Sequence, residues 1–464
     1  MTGTFDQHER VLVIGLGRSG IASCAVLRAR GATVFATDEK PRPALAATIA
    51  ELAATSVTFV DPQAVESVFA RLTSCVVSPG VPLNIELIRR VQAARVPVYS
   101  EIEVAYRICK APMVAITGTK GKTTTTALVG AMFRRAGKTT HVGGNIGNAL
   151  INETFVAHGG DWVIAEVSSF QLESIRSFKP RIAAILNLSP DHLDRYHSMD
   201  EYSEAKFRIF ANQGASDAFV GNLDDPLVAA LAEGEPKRLP SRALWYAMRA
   251  SRLSALYVRD GRITYAPRTG DPRPVEIMPV AEIGLLGAHN VSNVLAALLV
   301  GLTADLPVDA LRAAVVDFEA LPHRLQRVAT RDGVAYVDDS KSTNPGSVVA
   351  ALEAFAEPIV LIAGGKSKRT EFAAMGEAIS RRARAVVLIG EAADEIAGVV
   401  GATPVERATS MAEAVLRARE LAVAGDVVLL SPGCASFDMF GSAEARGDAF
   451  ATAARANATG GRAR

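Results

Sequence analysis

Aromatic residues are scarce, at 6% of 464 positions, and the four cysteines, Cys24, Cys75, Cys109 and Cys434, show no CxxC spacing. Such cysteine usage speaks for a reducing compartment rather than a disulfide scaffold. Long apolar runs are missing too. The longest, Val294 to Leu302, is half of what a membrane-spanning helix needs. The opening residues, MTGTFDQHER, are polar and carry no apolar leader. Charge of one sign is absent, since Lys+Arg minus Asp+Glu is 50 − 49 = +1. That balance excludes a bulk polyanion binder, so no nucleic acid is expected as a partner and any anion site must be local. No self-similar period of repeat-protein length appears, which argues against a solenoid. The expectation is a soluble, cytoplasmic protein with no membrane insertion.

What is present is a chain long enough for roughly three domains, with 49% hydrophobic residues rich in Ala, Val, Ile and Leu. Short β-branched runs repeatedly end in Gly/Ser-rich turns and give way to Ala/Leu-rich helical stretches. The alternation predicts α/β architecture in three parts. Residues 1–102 read as a Rossmann-like unit with strands near 11–14, 33–37 and 75–77. Residues 103–320 read as a P-loop ATPase-like parallel sheet, with strands at Met113–Ile116, Trp162–Val167 and Ile182–Leu188 and a hairpin, Ala255–Pro267, turned at Asp260-Gly261. Residues 321–464 read as a second Rossmann-like, doubly wound sheet, with strands at Val334–Val337, Pro358–Ile362, Ala385–Ile389 and Val427–Leu430. The closing ANATGGRAR has no apolar pattern and is expected to fray.

Gly15-Leu16-Gly17-Arg18-Ser19-Gly20 matches GxGxxG, and Asp38 ends the next strand where a dinucleotide site places its ribose-binding acid. Alone, the motif is open between an NAD site, as in a Rossmann oxidoreductase, a general anion site at a helix N-terminus, and a tight packing turn. The second loop is more specific. Thr117-Gly118-Thr119-Lys120-Gly121-Lys122-Thr123-Thr124 follows an apolar strand and opens a helix. Position 116 is Ile rather than Gly, so the spacing is GxxGKT, a shortened phosphate loop. Backbone N–H groups at Gly118–Lys122 can cradle phosphate oxygens, Lys122 supplies a point charge and the Thr123 hydroxyl can ligate Mg²⁺. A Lys/Thr-rich surface turn is the alternative, but Thr123–Thr126 would be a poor helix start without a polar role.

Glu166, near the C-terminal edge of its strand, could hold Mg²⁺ against the phosphates. Ser189-Pro190-Asp191-His192-Leu193-Asp194 brings an imidazole and carboxylates to the same sheet edge. The glycines of Gly143-Gly144-Asn145-Ile146-Gly147 imply close backbone approach or a plain turn. Lys206, in a helical stretch, reads from its residues alone as a solvated lysine. Asp338-Asp339-Ser340-Lys341-Ser342-Thr343-Asn344 and Ser431-Pro432-Gly433-Cys434-Ala435-Ser436 follow strands as crevice loops. His323-Arg324 either bridges domains or caps a helix.

The ordered series TGTKGKTT, GGNIG, EVSSFQL, LNLSPDHLDRY, GAHNVSN, LPHR, DDSKSTN and LLSPGCASFD resembles the Mur ligase family over essentially the whole chain. The resemblance implies an ATP- and Mg²⁺-dependent ligase that phosphorylates a substrate carboxylate and lets an amino group displace the phosphate. It points to UDP-N-acetylmuramoyl-L-alanine and D-glutamate as substrates in peptidoglycan precursor synthesis. An L-glutamate-adding relative is the alternative within the family. Lys122, Glu166, His192 and Lys206 would be catalytic, with Thr123, Glu166, His192 and Lys206 serving two Mg²⁺ sites and Lys206 carried as a carbamate. ATP would meet Gly118, Thr119, Lys120, Gly121, Lys122, Thr123, Thr124 and Thr125, together with Asn290, Asn293, Arg324 and Asp339.

By the same resemblance, the nucleotide sugar would meet Gly17, Arg18, Ser19, Asp38, Glu39, Lys40, Ser78, Pro79 and Gly80, with Asn145, Ser168, Gln171 and His192 facing its muramoyl-alanine arm. Glutamate would meet Asp191, Lys341, Thr343, Lys368, Ser436 and Phe437, with the C-terminal domain closing over ATP. A monomer is expected. Two positions depart from the family pattern. Ala443 stands where an aromatic would pack on glutamate, and Glu39 replaces a small hydroxyl residue beside uracil.

Overall fold

The computed structural model describes residues 5–192, 195–233, 239–266, 273–367 and 371–456. Short β-branched runs become strands because branched side chains fit a pleated surface covered on both faces. Among the described residues they assemble three sheets. The first contains β1 (Arg10–Ile14), β2 (Thr33–Thr37), β3 (Thr58–Phe59), β4 (Ser74–Val77) and β5 (Val98–Ser100), all parallel, in the order β3-β2-β1-β4-β5. Strand order reverses between β1 and β4, so the turns leaving these two strands share a crevice.

The second sheet contains β6 (Met113–Thr117), β7 (Thr140–Gly144), β8 (Trp162–Glu166), β9 (Ile182–Ile185), β10 (Ala218–Asn222), β11 (Arg242–Ala247), β12 (Ser254–Arg259), β13 (Arg262–Tyr265) and β14 (Val275–Pro279). Its order is β14-β13-β12-β11-β10-β9-β6-β8-β7. The strands from β7 to β12 run parallel, and the β12-β13-β14 edge is antiparallel. The hairpin turn sits where the sequence placed it: Asp260 (φ 50°) and Gly261 (φ 73°) both adopt the left-handed region that a two-residue hairpin turn requires. Pro267, the expected end of this hairpin, lies outside the described residues.

The third sheet contains β15 (Gln326–Arg331), β16 (Val334–Asp338), β17 (Ile359–Gly364), β18 (Ala383–Ile389), β19 (Val405–Arg407) and β20 (Val427–Gly433), in the order β15-β16-β20-β17-β18-β19. Only the β15–β16 pair is antiparallel among these strands. The α/β class and the parallel sheets expected from sequence are thus present, and no described helix is long and apolar enough to cross a membrane.

The chain divides into two compact units. One comprises residues 1–282 with 292–317 and holds the first two sheets; the other comprises 283–291 with 318–464 and holds the third. Within the first unit, one apolar core runs from Val11 and Val13 through Ile102 and Ala105 to Leu150, Ile151 and Ile185.

A buried acid fastens this core. Glu103, on the helix Glu101–Ile108, accepts hydrogen bonds from the backbone N–H groups of Arg176, Ser177 and Phe178, from the Ser177 hydroxyl and from Arg107 Nε. Burial pushes its carboxyl up, but the Ser177 hydroxyl, the backbone donors and Arg107 outweigh burial and hold it below its ordinary value of 4.5. The stabilisation is therefore full above pH 4.5 and is lost as pH falls through the lower folded value. Glu103→Ala is expected to cost about 3 kcal/mol or more, because it strands buried donors. Urea unfolding of the two proteins at pH 7 and pH 3.5 checks this, with the difference shrinking at the acid pH.

Candidate active site

The C-terminal end of β6 leads into the phosphate loop, and the loop's shape is dictated by what presses on its glycines. Gly118 has φ +152°, and a β-carbon there would lie 3.1 Å from Leu186 Cβ and 3.3 Å from the Asn187 backbone. Gly121 has φ +81°, and a β-carbon there would lie 2.1 Å from Asn293 Oδ1. Asn293 of the GAHNVSN helix is thereby brought onto the loop. From the LNLSPDH segment, Asn187 Oδ1 accepts from Lys120 N (2.8 Å) and Asn187 Nδ2 donates to Lys120 O (3.0 Å). Thr119 Oγ1 lies 3.1 Å from Tyr202 Oη and accepts from Ser189 N. Asn187 and Tyr202 are absent from the sequence-based site. Asn187 lies within the LNLSPDHLDRY motif without a role of its own assigned there, and Tyr202 lies outside the motifs; what each holds is set by long-range placement.

Two lysines converge on one oxygen. Lys122 Nζ donates to the carbonyls of Gly118 (3.0 Å) and Thr119 (2.9 Å), and Lys206 Nζ donates to Gly118 O at 2.9 Å. Lys206, read from its residues as solvated, is only 2% exposed, and its ammonium lies 4.7 Å from the Tyr202 ring centroid. Burial, then the like charge of Lys122, pull its pKa down to about 7, with Asp191 and Glu166 partly opposing them. Lys120 is also pulled down by burial against the opposing charge of Asp191. Thr124 and Thr125 are buried in the first turn of the helix Lys122–Arg135.

Glu166 ends β8 at 1% exposure, and its Oε1 accepts from Asn145 Nδ2 at 2.8 Å. Its Oε2 is buried with no hydrogen-bond partner among the described residues. The GGNIG glycines make this possible: a β-carbon at Gly144 would sit 2.3 Å from Glu166 O, the same carbonyl that accepts from Asn145 N. Ser168 and Gln171 form a reciprocal cap on the short helix Ser169–Leu172. Glu101, fully buried, receives Ile151 N at 2.7 Å and interacts with Gln171; burial pushes it up to about 7 against those hydrogen bonds. His192 adopts φ 55°, with its ring centroid 4.8 Å from that of Phe170 and its Nε2 3.7 Å from Asp191 Oδ2. Leu193 and Asp194 lie outside the described residues.

In the first sheet, the glycine turn and the Ser78-Pro79-Gly80 loop meet. A β-carbon on Gly15 would lie 3.0 Å from Ser78 Cβ, and one on Gly17 would lie 3.9 Å from Ser78 Oγ. Asp38 accepts from Leu16 N (2.6 Å) and Lys40 N (2.9 Å), which ties the end of β2 to the turn. Gly17, Arg18, Glu39 and Lys40 are exposed, and Ser19 is half-buried.

In the second unit, Asp339 accepts from the hydroxyls of Ser342 (2.5 Å) and Ser431 (2.9 Å) and from Leu325 N (3.3 Å). His323 Nδ1 lies 2.7 Å from Asp338 Oδ2, so the LPHR segment that carries Arg324 is docked on the DDSKSTN loop. Gly433 N donates to Ser342 O, which joins that loop to SPGCAS. Lys341 Nζ pairs with Glu444 at 2.5 Å, Thr343 is half-buried, Ser436 is buried and Phe437 is 71% exposed. Asn290 Nδ2 donates to Leu286 O. Lys368 lies outside the described residues.

Comparison with known proteins gives this arrangement its family. Residues 116–301 match the Mur ligase middle domain, 323–434 the Mur ligase glutamate ligase domain, and 9–100 the MurD-like N-terminal domain of Mur ligases. The chain belongs to the Mur ligase family. It is similar to the UDP-N-acetylmuramoylalanine--D-glutamate ligase of Koribacter versatilis, at 42% identity over 95% of this chain and 96% of that one. The enzyme of the same name from Pelotomaculum thermopropionicum is 43% identical over 96% of each chain. Among solved structures, the MurF ligase of Thermotoga maritima in complex with ADP aligns with a TM-score of 0.60 at 15% identity, covering 97% of this chain and 99% of that one.

Burial, against the opposing Ser342 and Ser431 hydroxyls, Leu325 N and Arg324, pushes Asp339 from 3.8 up to about 7. A carboxyl whose folded pKa is raised leaves stability highest below its unfolded value, and stability falls as pH rises from 3.8 to about 7. Asp339→Asn is therefore expected to raise stability by roughly 1–3 kcal/mol at pH 8 and by almost nothing near pH 4. Thermal unfolding across that range checks it.

Proposed function

We infer that this chain forms an amide bond between UDP-N-acetylmuramoyl-L-alanine and D-glutamate at the expense of ATP. The observation that carries this reading is the full-length likeness, at 42–43% identity, to ligases named for that reaction. The reaction has two displacements. An alanyl carboxylate oxygen attacks the γ-phosphorus of ATP and ADP leaves; the glutamate nitrogen then attacks the acyl carbon, the phosphate leaves and the ammonium proton is lost.

Carboxylates are poor electrophiles, so the phosphorylation step requires concentrated positive charge around the transferring group. Lys122 supplies it, by exchanging its two loop carbonyls for phosphate oxygens at the N-terminus of its helix, where the backbone dipole also favours negative charge. Gly118–Thr125 are assigned to ATP, although the N–H groups of Thr119, Lys120 and Thr125 are held by Asn187 and Gly121. Asn290, Asn293, Arg324 and Asp339 are assigned to ATP. The glycine turn, Asp38–Lys40 and Ser78–Gly80 are assigned to the nucleotide sugar, with Asn145, Ser168, Gln171 and His192 toward its muramoyl-alanine arm. Asp191, Lys341, Thr343, Lys368, Ser436 and Phe437 are assigned to glutamate. The corresponding functional division is 1–102, 103–320 and 321–464.

The unpartnered Glu166 oxygen and the Thr123 hydroxyl are hard oxygen donors suited to one Mg²⁺. Bound there, Mg²⁺ would neutralise charge on the phosphates. A second ion would be held by His192 and a carbamate on Lys206. A carbamate on Lys206 would turn a buried cation into an oxygen donor beside the phosphate loop. A neutral amine with a pKa near 7 is suited to that change: Nζ bonds to the carbon of CO₂ and releases a proton.

Phosphate release with ATP, Mg²⁺ and the nucleotide sugar is expected with D-glutamate and not with L-glutamate or without amino acid; turnover with L-glutamate alone would overturn the assignment of substrate. Lys122→Ala is expected to lower kcat about 10³-fold. After incubation with ¹³C-bicarbonate, a carbamate carbon resonance present in the wild type and lost in Lys206→Ala is the expected sign of the modification.

A further inference from the structure

The largest fully buried side chain among the described residues is a cation with no role in the reaction as described. Arg446, in the first turn of the helix Ala443–Arg455, is 1% exposed. No carboxylate pairs with it among the described residues. Its guanidinium spends its donors on two loops. Nε donates to Ser340 Oγ (3.0 Å) and Nη2 to Ser340 O (2.9 Å), while Nη1 donates to the carbonyls of Cys434 (3.1 Å) and Ala435 (3.3 Å). Ser340 Oγ in turn donates to Ala443 O at 2.7 Å. Gly365 leaves room for this fork: its φ is +128°, and a β-carbon there would lie 3.1 Å from Arg446 Nη1 and 2.4 Å from Ala435 O.

The bonds to Ser340 and to Ala435 end next to assigned glutamate contacts, and the bond to Cys434 ends two residues from one. Ser340 stands between Asp339 and Lys341, and Ala435 precedes Ser436. A buried charge bonded only to neutral acceptors is costly; an apolar side chain of similar volume would fill the same space at lower cost. Burial accordingly pulls the guanidinium down to about 10 against the opposing influence of Cys434, Asp438 and Asp338, which still leaves it charged at neutral pH. Lys341, by contrast, has its charge balanced by Glu444.

We propose that Arg446 is a positioning residue for the acceptor amino acid: it fixes the Ser340 loop against the Cys434–Ala435 loop and so sets the spacing of the glutamate contacts that these loops carry. It acts through Lys341 and Ser436. The proposal rests on the assignment of these loops to glutamate.

Full-length wild type, Arg446→Met, Arg446→Lys and Ser340→Ala are compared by phosphate release and by hydrogen–deuterium exchange. Arg446→Met is expected to raise the KM for D-glutamate about tenfold or more, with the KM for the nucleotide sugar changed less than about twofold. Arg446→Lys keeps the charge but cannot reach four acceptors, so its KM is expected between the two. Ser340→Ala removes one bond and is expected to raise KM about threefold. Exchange is expected to rise in both loops of Arg446→Met, near 339–343 and 434–437, and not around the phosphate loop. A purely structural role would lower kcat and the melting temperature and leave the glutamate KM at the wild-type value; that result, or exchange rising in only one loop, overturns the proposal. If Arg446→Met does not fold, wild-type KM values in both Arg446→Lys and Ser340→Ala overturn it. Amino-acid-independent behaviour of the wild type would refute the functional reading instead, and the exchange data would still decide whether Arg446 couples the loops.

Discussion

The Gly118 carbonyl accepts hydrogen bonds from both Lys122 and Lys206, and much of the first unit is arranged around that convergence of positive charge. Burial, and then the repulsion between two ammonium groups on one oxygen, weakens the hold of Lys206 on its proton. The surroundings hold the pair together. Asn187 and Ser189 clamp the loop from the neighbouring strand's end, Tyr202 closes over Lys206, and Glu166 and Asp191 supply opposing charge. Both lysines spend their donors on the loop's own carbonyls, so an anion drawn to this charge would have to displace those bonds.

The second unit meets a similar problem differently. Its two crevice loops leave the paired strands β16 and β20, and beyond the ladder they are joined by hydroxyls and a guanidinium as well as by the Gly433–Ser342 backbone bond. Asp339 is held by Ser342 and Ser431, and Arg446 spans from Ser340 to Cys434 and Ala435. Loops built this way can keep defined spacing while leaving their tips, such as exposed Phe437, available to a ligand.

The strands that were legible in sequence are those whose branched apolar residues are buried on both faces, such as Val11–Ile14 and Val427–Leu430. Several that were not are short or polar, while Ala218–Asn222 and Arg242–Ala247 were missed although the first is buried throughout and the second spans six residues. Thr58–Phe59 and Val405–Arg407 span two and three residues, and Gln326–Arg331 is an edge strand whose QRVATR lacks an apolar run. The strand candidate Ile182–Leu188 runs past its ladder: β9 ends at Ile185, and Asn187 leaves to hold the phosphate loop. The glycine loops were readable because positive φ and close approach demand glycine locally. The burial of Lys206 and the reach of Arg446 were not, since both depend on partners 88 and up to 106 positions away.

The partners of the loop glycines also constrain how genes for such chains could recombine. Gly121 is fitted to Asn293 and Gly118 to Leu186 and Asn187, so the phosphate loop is shaped by segments some 70 and 170 residues downstream. A crossover between residues 121 and 293 that paired this loop with a foreign helix would replace the surface against which the loop closes. Viable chimeras should therefore inherit Gly118–Gly121, Leu186–Asn187 and Asn293 from one parent, so that positions far apart in the gene travel together.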